Sequence, residues 1–262
     1  MKNGCVLNTD YIRFGSGKKI LVILPGLGDG LRTVKGTALP MSVMYRALSA
    51  DYTVYALSRK NDIATDATTR DMATDAANVM HALGIDKADV MGVSMGGMIA
   101  QWLAIDYPHL VNKLLLVVTS AEPNKVLKES IDEWLYYVDR KDYMALMDSN
   151  LKRIYSDGYY RKNKWMIPLL GFVTRPRSYE RFLILAKACL SHDAKAFLSG
   201  IYAPVLVIGG EQDKALGAQA SRDIAAAIPG AELKIYSRWG HGLYEEEHGF
   251  LDVVLSFLRK EY

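Results

Sequence analysis

Apolar runs rich in β-branched residues recur along the chain at 20–24, 53–57, 88–93, 113–118, 205–208 and 232–236. Runs of this kind, short and without polar alternation, predict strands buried on both faces, as in a parallel sheet. Between them the spacing of apolar positions predicts helices over 65–83, 95–106, 218–228 and 248–258. Strand alternating with helix implies an α/β protein with a mostly parallel central sheet flanked by helices. The opening segment, 5–14, ends at Gly15-Ser16-Gly17 and is expected to add one or two antiparallel edge strands.

The alternation stops between residues 121 and 199. This stretch is helix-like and crowded with aromatic residues, among them Trp134, Tyr137, Tyr143, Tyr155, Trp165 and Tyr179. A structureless loop of that length is rare in a compact domain, so a helical insertion packed over the sheet is expected. Residues 1–120 and 200–262 then form the core, and 121–199 an inserted helical cap. The aromatic residues read first as ordinary helix packing, with Trp134, Tyr137 and Trp165 as candidate walls of a cleft.

Composition narrows the function classes. The chain has 262 residues, long enough to bury its own core without a disulfide or metal. Its 32 basic and 29 acidic residues leave a net charge of +3. Charge so near balance, with no basic stripe, argues against a nucleic-acid partner. Cys5 and Cys189 are isolated, which indicates neither a disulfide framework nor a zinc site and makes a cytoplasmic setting the default expectation. The first 19 residues lack an apolar stretch of signal-peptide length, and the longest purely apolar runs are strand-sized, so no membrane span is expected.

The chemistry centres on Gly92-Val93-Ser94-Met95-Gly96, a GxSxG pattern lying between a buried strand and an apolar helix. A sharp strand-to-helix turn lifts its central hydroxyl clear of the sheet and sets it at a helix N-terminus, where developing negative charge is favoured. GxSxG alone is weak; its flanking strand and helix make it strong. A serine hydroxyl needs a base, most often histidine. Of the five histidines, His81 lies within a helix, His109 in the turn at the far end of the helix that Ser94 opens, His192 in the insertion and His248 at the head of the last helix. His241 follows the final strand between two glycines, at the carboxyl edge of the sheet, and is the best-placed base. A carboxylate must orient it, and Asp213, just past the strand at 205–208, is the candidate, with Glu211 and Glu122 as alternatives. The glycine-rich turn after the first long strand, Pro25-Gly26-Leu27-Gly28-Asp29-Gly30, can aim the Leu27 amide at the same point as the Met95 amide, as a pair of oxyanion donors. Leu31 stands where a GxGxxG motif needs its last glycine, and Gly17-Lys18-Lys19 lacks the rest of a phosphate loop, so no nucleotide cofactor is indicated. Glu245, Glu246 and Glu247, between His241 and His248, read as acidic residues leading into a helix rather than as metal ligands.

Ser94, Asp213 and His241 thus occur in the order nucleophile, acid, base, each after a different strand. With Val22-Ile23-Leu24-Pro25-Gly26, Gly92–Gly97, Pro204–Asp213 and Trp239–Gly242, the chain resembles the serine hydrolases of the α/β-hydrolase fold over nearly its whole length. The resemblance implies a Ser94-His241-Asp213 triad, an oxyanion hole at the Leu27 and Met95 amides, and no cofactor or metal. It also implies substrate contacts near Gly26, Trp134, Tyr137, Trp165 and Leu243. The stretch from Ser94 to Trp102 is similar to esterases and enol-lactone hydrolases. Two departures stand out: Pro25 where many relatives carry histidine, and Ser58-Arg59-Lys60-Asn61-Asp62 where many carry Arg-Gly-x-Gly-x-Ser.

The expected function is cleavage of a small carboxylic ester through an acyl-enzyme. The same residues acting on a lactone, thioester or carbon–carbon bond form the mechanistic alternative, and a non-catalytic ligand sensor is the alternative of a different class. Residues 150–181 carry eight basic side chains against Asp157 and Glu180, a net of +6. They read either as a solvated helix face or as the source of an arginine clamp for a substrate carboxylate.

Overall fold

The computed structural model describes residues 1–262. Its eight strands are β1 (Lys2–Val6), β2 (Thr9–Phe14), β3 (Lys19–Leu24), β4 (Tyr52–Lys60), β5 (Ala88–Val93), β6 (Val111–Val117), β7 (Val205–Gly210) and β8 (Glu232–Tyr236). They form one sheet in the order β1-β2-β4-β3-β5-β6-β7-β8. β1 and β2 pair antiparallel at one edge, β2 runs antiparallel to β4, and every other pairing is parallel. The eleven helices are α1 (Ala38–Met44), α2 (Thr69–Ala82), α3 (Met95–Asp106), α4 (Lys125–Asp139), α5 (Tyr143–Ile154), α6 (Asp157–Asn163), α7 (Ile167–Val173), α8 (Glu180–Leu190), α9 (Ala218–Ala227), α10 (Leu243–Glu246) and α11 (Phe250–Arg259).

The two-residue period of the central strands divides the core. Val22, Val90, Leu114, Leu116 and Val207 face a cluster that includes residues of α2, α3 and α9. Leu21, Ile23, Met91, Leu115 and Ile208 face a second cluster with α11 and the α1 region. Leu127, Ile131 and Trp134 of α4 and Phe182 and Leu185 of α8 belong to the first cluster. Of the inserted helices, α4, α5 and α8 therefore share their core with one face of the sheet.

Local chemistry fixes the boundaries. Helix α2 begins at Thr69, later than the apolar periodicity suggests, because Thr68 and Asp71 form a reciprocal capping box. Asn124, Asp142 and Ser156 cap α4, α5 and α6 through their side chains. The last helix starts at Phe250, and the residues before it form the separate single turn α10. Helix α1 and its flanking 3-10 turns carry no sustained amphipathic period and were not expected from the sequence.

Candidate active site

Ser94 lies between β5 and α3, as the N-cap of the helix, with φ 53° and ψ −121°, a conformation costly for a residue with a Cβ. The turn is held on both sides: Ser94 N donates to Val117 O at 2.8 Å, and Ser94 O accepts from Thr119 Oγ1 at 2.7 Å and Gly97 N at 2.8 Å. Glycine at 92 is forced by close packing, since a Cβ there would stand 2.5 Å from Gly97 Cα.

The loop after β3 approaches from the other side. A Cβ at Gly26 would lie 3.4 Å from Ser94 Cβ and 3.8 Å from its Oγ. Leu27 and Met95 each open a helical turn, where the first N–H groups have no acceptor within the helix itself. Two such N–H groups thus flank the serine, at positions fit to bind an oxyanion.

Asp213 and His241 lie beyond β7 and β8. His241 Nδ1 and Asp213 Oδ2 are 2.8 Å apart in a buried hydrogen bond. Asp213 Oδ1 accepts from Ala215 N at 2.8 Å and Leu216 N at 2.9 Å, which fixes the carboxylate. His241 is pinned through its neighbour, as Gly242 N donates to Ile154 O at the end of α5 at 2.6 Å. A Cβ at Gly242 would meet the Tyr155 ring at 2.8 Å. The alternative acids are engaged elsewhere: Glu122 pairs with Lys195 and Glu211 with Arg222, each at 2.5 Å.

Ser94, His241, Gly26 and Leu27 line one cavity of about 420 Å³, and of the five histidines only His241 reaches it. No hydrogen bond joins Ser94 Oγ to His241 in this conformation, a contact that often tightens only when substrate is bound. The walls are mainly apolar, with Met41 and Met44 from α1, Ile131 and Trp134 from α4, and Phe182 from α8. The buried Trp134 Nε1 has no protein acceptor.

Three anticipated contacts lie off this cavity. Tyr137 packs edge-on against Tyr136, Trp165 is 70 % exposed beside a separate shallow depression, and Leu243 is buried in the apolar layer under α11. Aromatic content alone does not reveal which side of a helix faces the sheet. The arginine clamp is also absent. None of the eight basic residues of 150–181 lines the cavity; Arg153 pairs with Glu133, Lys152 with Asp148, and Arg181 with Asp29. The charged residues that do reach it are Asp29, Arg32 and Glu245, and the last two were not anticipated. Glu246 and Glu247 serve local structure as the sequence suggests, but Glu245 faces the cavity.

Fold and site geometry together define an α/β-hydrolase. Residues 19–248 match the family described as alpha/beta hydrolase fold, and the chain belongs to it. A 2-hydroxy-6-oxononadienedioate/2-hydroxy-6-oxononatrienedioate hydrolase of a Pseudomonas species is 26 % identical over 265 residues, covering 94 % of this chain and 90 % of its own. Among solved structures, an alpha/beta hydrolase enzyme from a Medee basin deep-sea metagenome library superposes with a TM-score of 0.85 at 23 % identity, covering 100 % of this chain and 98 % of the other. The enol-lactonase from Burkholderia xenovorans superposes with a TM-score of 0.82 at 22 % identity, covering 99 % and 100 %. No helix is long and apolar enough to cross a membrane.

Proposed function

We propose that the chain is a serine hydrolase that cleaves a small carboxylic ester through an acyl-enzyme, with the inserted helices as its cap. The observation that carries this reading is the buried 2.8 Å hydrogen bond from His241 Nδ1 to Asp213, on the wall of the cavity that also holds Ser94. With Nδ1 engaged, His241 Nε2 takes the Ser94 proton as Oγ attacks the carbonyl. The oxyanion rests on the Leu27 and Met95 amides, and the alcohol leaves with the proton from Nε2. Water deprotonated by His241 then releases the acid and frees Ser94.

A second reading keeps these residues and changes the bond: a lactone, or the carbon–carbon bond of an oxo-dienoate. The activities of the Burkholderia and Pseudomonas relatives, an enol-lactonase and an oxo-dienoate hydrolase, favour it. Incubation with a fluorophosphonate followed by peptide mass analysis tests the shared mechanism, and one modified serine is expected, in the peptide spanning Ser94. Labelling elsewhere, or none in folded protein, overturns it. A panel of p-nitrophenyl esters of increasing acyl length, run beside lactones and thioesters, separates the two readings.

A further inference from the structure

Three consecutive glutamates follow His241, and two of them have structural partners. Glu246 accepts from Ser156 N at 2.9 Å and Ser156 Oγ at 2.6 Å, tying α10 to the start of α6. Glu247 accepts from Trp239 Nε1 at 2.5 Å and Gly249 N at 2.9 Å. Glu245 instead lines the cavity, where Tyr155 Oη donates to its Oε2 at 2.6 Å and no lysine or arginine pairs with it. Tyr45, at the end of α1, and Tyr244 line the same cavity.

This region is acidic and aromatic. Glu246 lies beside Glu245 on its own element; Tyr155 and Tyr159 approach from the inserted helices, Tyr45 from the α1 side, and Asp213 acts on the adjacent Tyr244. Glu245 is exposed at the cavity wall; partial desolvation by the surrounding protein shifts its carboxyl above the usual range, the Glu246 charge adds to this, and hydrogen bonds from Tyr155 and Tyr244 oppose it. Arg32, the other unpaired charge on the cavity, rests its stem on Gly36 and makes no bond to Glu245. A carboxylate without a counter-ion among aromatic walls has the chemistry of an ammonium site, where ring faces and negative charge act together.

We propose that Glu245, with Tyr45 and Tyr244, forms a subsite of the cavity that binds a positively charged ammonium group of the substrate. The inference rests on the hydrolase reading for its substrate, though not for its ligand chemistry. It sets this chain apart from enzymes whose substrates carry a second carboxylate, because an anion at this end would meet Glu245.

The test compares kcat/KM for the p-nitrophenyl esters of 4-(trimethylammonio)butanoate and of its uncharged isostere 5,5-dimethylhexanoate, in the native protein and in Glu245→Gln. The cationic ester is expected to be preferred about tenfold by the native protein, and the ratio to fall to about one in the variant. In parallel, calorimetry with n-butyltrimethylammonium should give a Kd that rises about tenfold in Glu245→Gln, and affinity in the native protein should strengthen as pH is raised through the Glu245 titration. Preference for the neutral ester in the native protein, or an unchanged ratio or Kd in the variant, overturns the subsite. If neither ester turns over while the ammonium probe binds and the variant weakens it, the ester reading fails and the subsite stands.

Discussion

Asp29 is the most heavily engaged buried charge near the site, and replacing it with asparagine isolates what its charge does. The carboxylate is 1 % exposed. Its Oδ1 accepts from Ser58 Oγ at 2.6 Å, and its Oδ2 from Arg59 N at 3.0 Å and Arg181 Nη2 at 2.6 Å. Arg181 reaches down from α8 and also donates to Asp29 O, Lys60 O and Arg59 O, so one guanidinium joins the inserted helices to the loop that carries Leu27. Arg59 is buried as well; its Nη2 bonds Pro25 O, while Nε and Nη1 have no partner. Burial lowers its pKa, and attraction to Asp29 works the other way.

Asp29→Asn preserves shape but removes the anion that pairs with Arg181 and whose charge offsets the burial of Arg59. Hydrogen bonds to a charged group contribute about 1.5–3 kcal/mol each, and breaking one side of a buried pair costs about 3–5 kcal/mol. The expected loss is therefore about 3–5 kcal/mol, a large share of the 5–15 kcal/mol by which a domain is ordinarily stable. Urea unfolding at neutral pH measures it, with Arg181→Met and the double variant completing a cycle. Removing Arg181 takes away one unpaired cation, so the double variant should lose at least about 1.5 kcal/mol less than the sum of the single losses. Because Asp29 lies in the turn that opens with Leu27, kcat should fall in Asp29→Asn even where the protein is fully folded. A loss under about 1 kcal/mol, or strict additivity, would refute the view that this carboxylate anchors Arg181.

Three further outcomes follow from the same geometry. Asp213→Asn should lower kcat by about 10⁴-fold, since His241 loses the partner that sets its tautomer. Glu122→Gln and Glu211→Gln, whose carboxylates pair with surface lysine and arginine, should change kcat little, and steady-state kinetics on any accepted ester decides the assignment. His192 is buried against Thr69 Oγ1 at 2.8 Å, and desolvation lowers its pKa from 6.5 to about 4. The unfolded chain therefore binds the extra proton first as pH falls, so the contribution is complete above pH 6.5 and is lost between there and pH 4, by about 2–3 kcal/mol near pH 4.5. Urea midpoints at pH 7 and 4.5 measure this loss, and His192→Gln should flatten it; an equal slope in the variant would assign the acid sensitivity to other groups.

The residues at the carboxyl ends of the strands were legible in the sequence because each follows a buried apolar run that fixes its height on the sheet. Ser94 after β5, Asp213 after β7 and His241 after β8 needed only the parallel order of the strands to share one edge. The approach of the loop after β3 was legible for a related reason: Gly26 and Leu27 follow that strand directly and so sit beside Ser94 at the same sheet edge. The cavity wall follows no such rule. Trp134 and Tyr137 lie three residues apart on α4, yet one lines the cavity and the other packs outside it, because the choice depends on how α4 meets α8 and the sheet. The basic stretch at 150–181 left two readings open for the same reason: three of its members, Lys152, Arg153 and Arg181, pair with Asp148, Glu133 and Asp29, partners up to 152 residues away in the chain. Glu245 stands between these cases. Its distance from His241 is fixed by sequence, but its freedom to face the cavity arises because Ser156 engages Glu246 and Trp239 engages Glu247. If the proposed subsite holds, substrate charge preference in this chain is set by which acidic and basic residues the inserted helices leave without a counter-ion, a property of packing and not of composition.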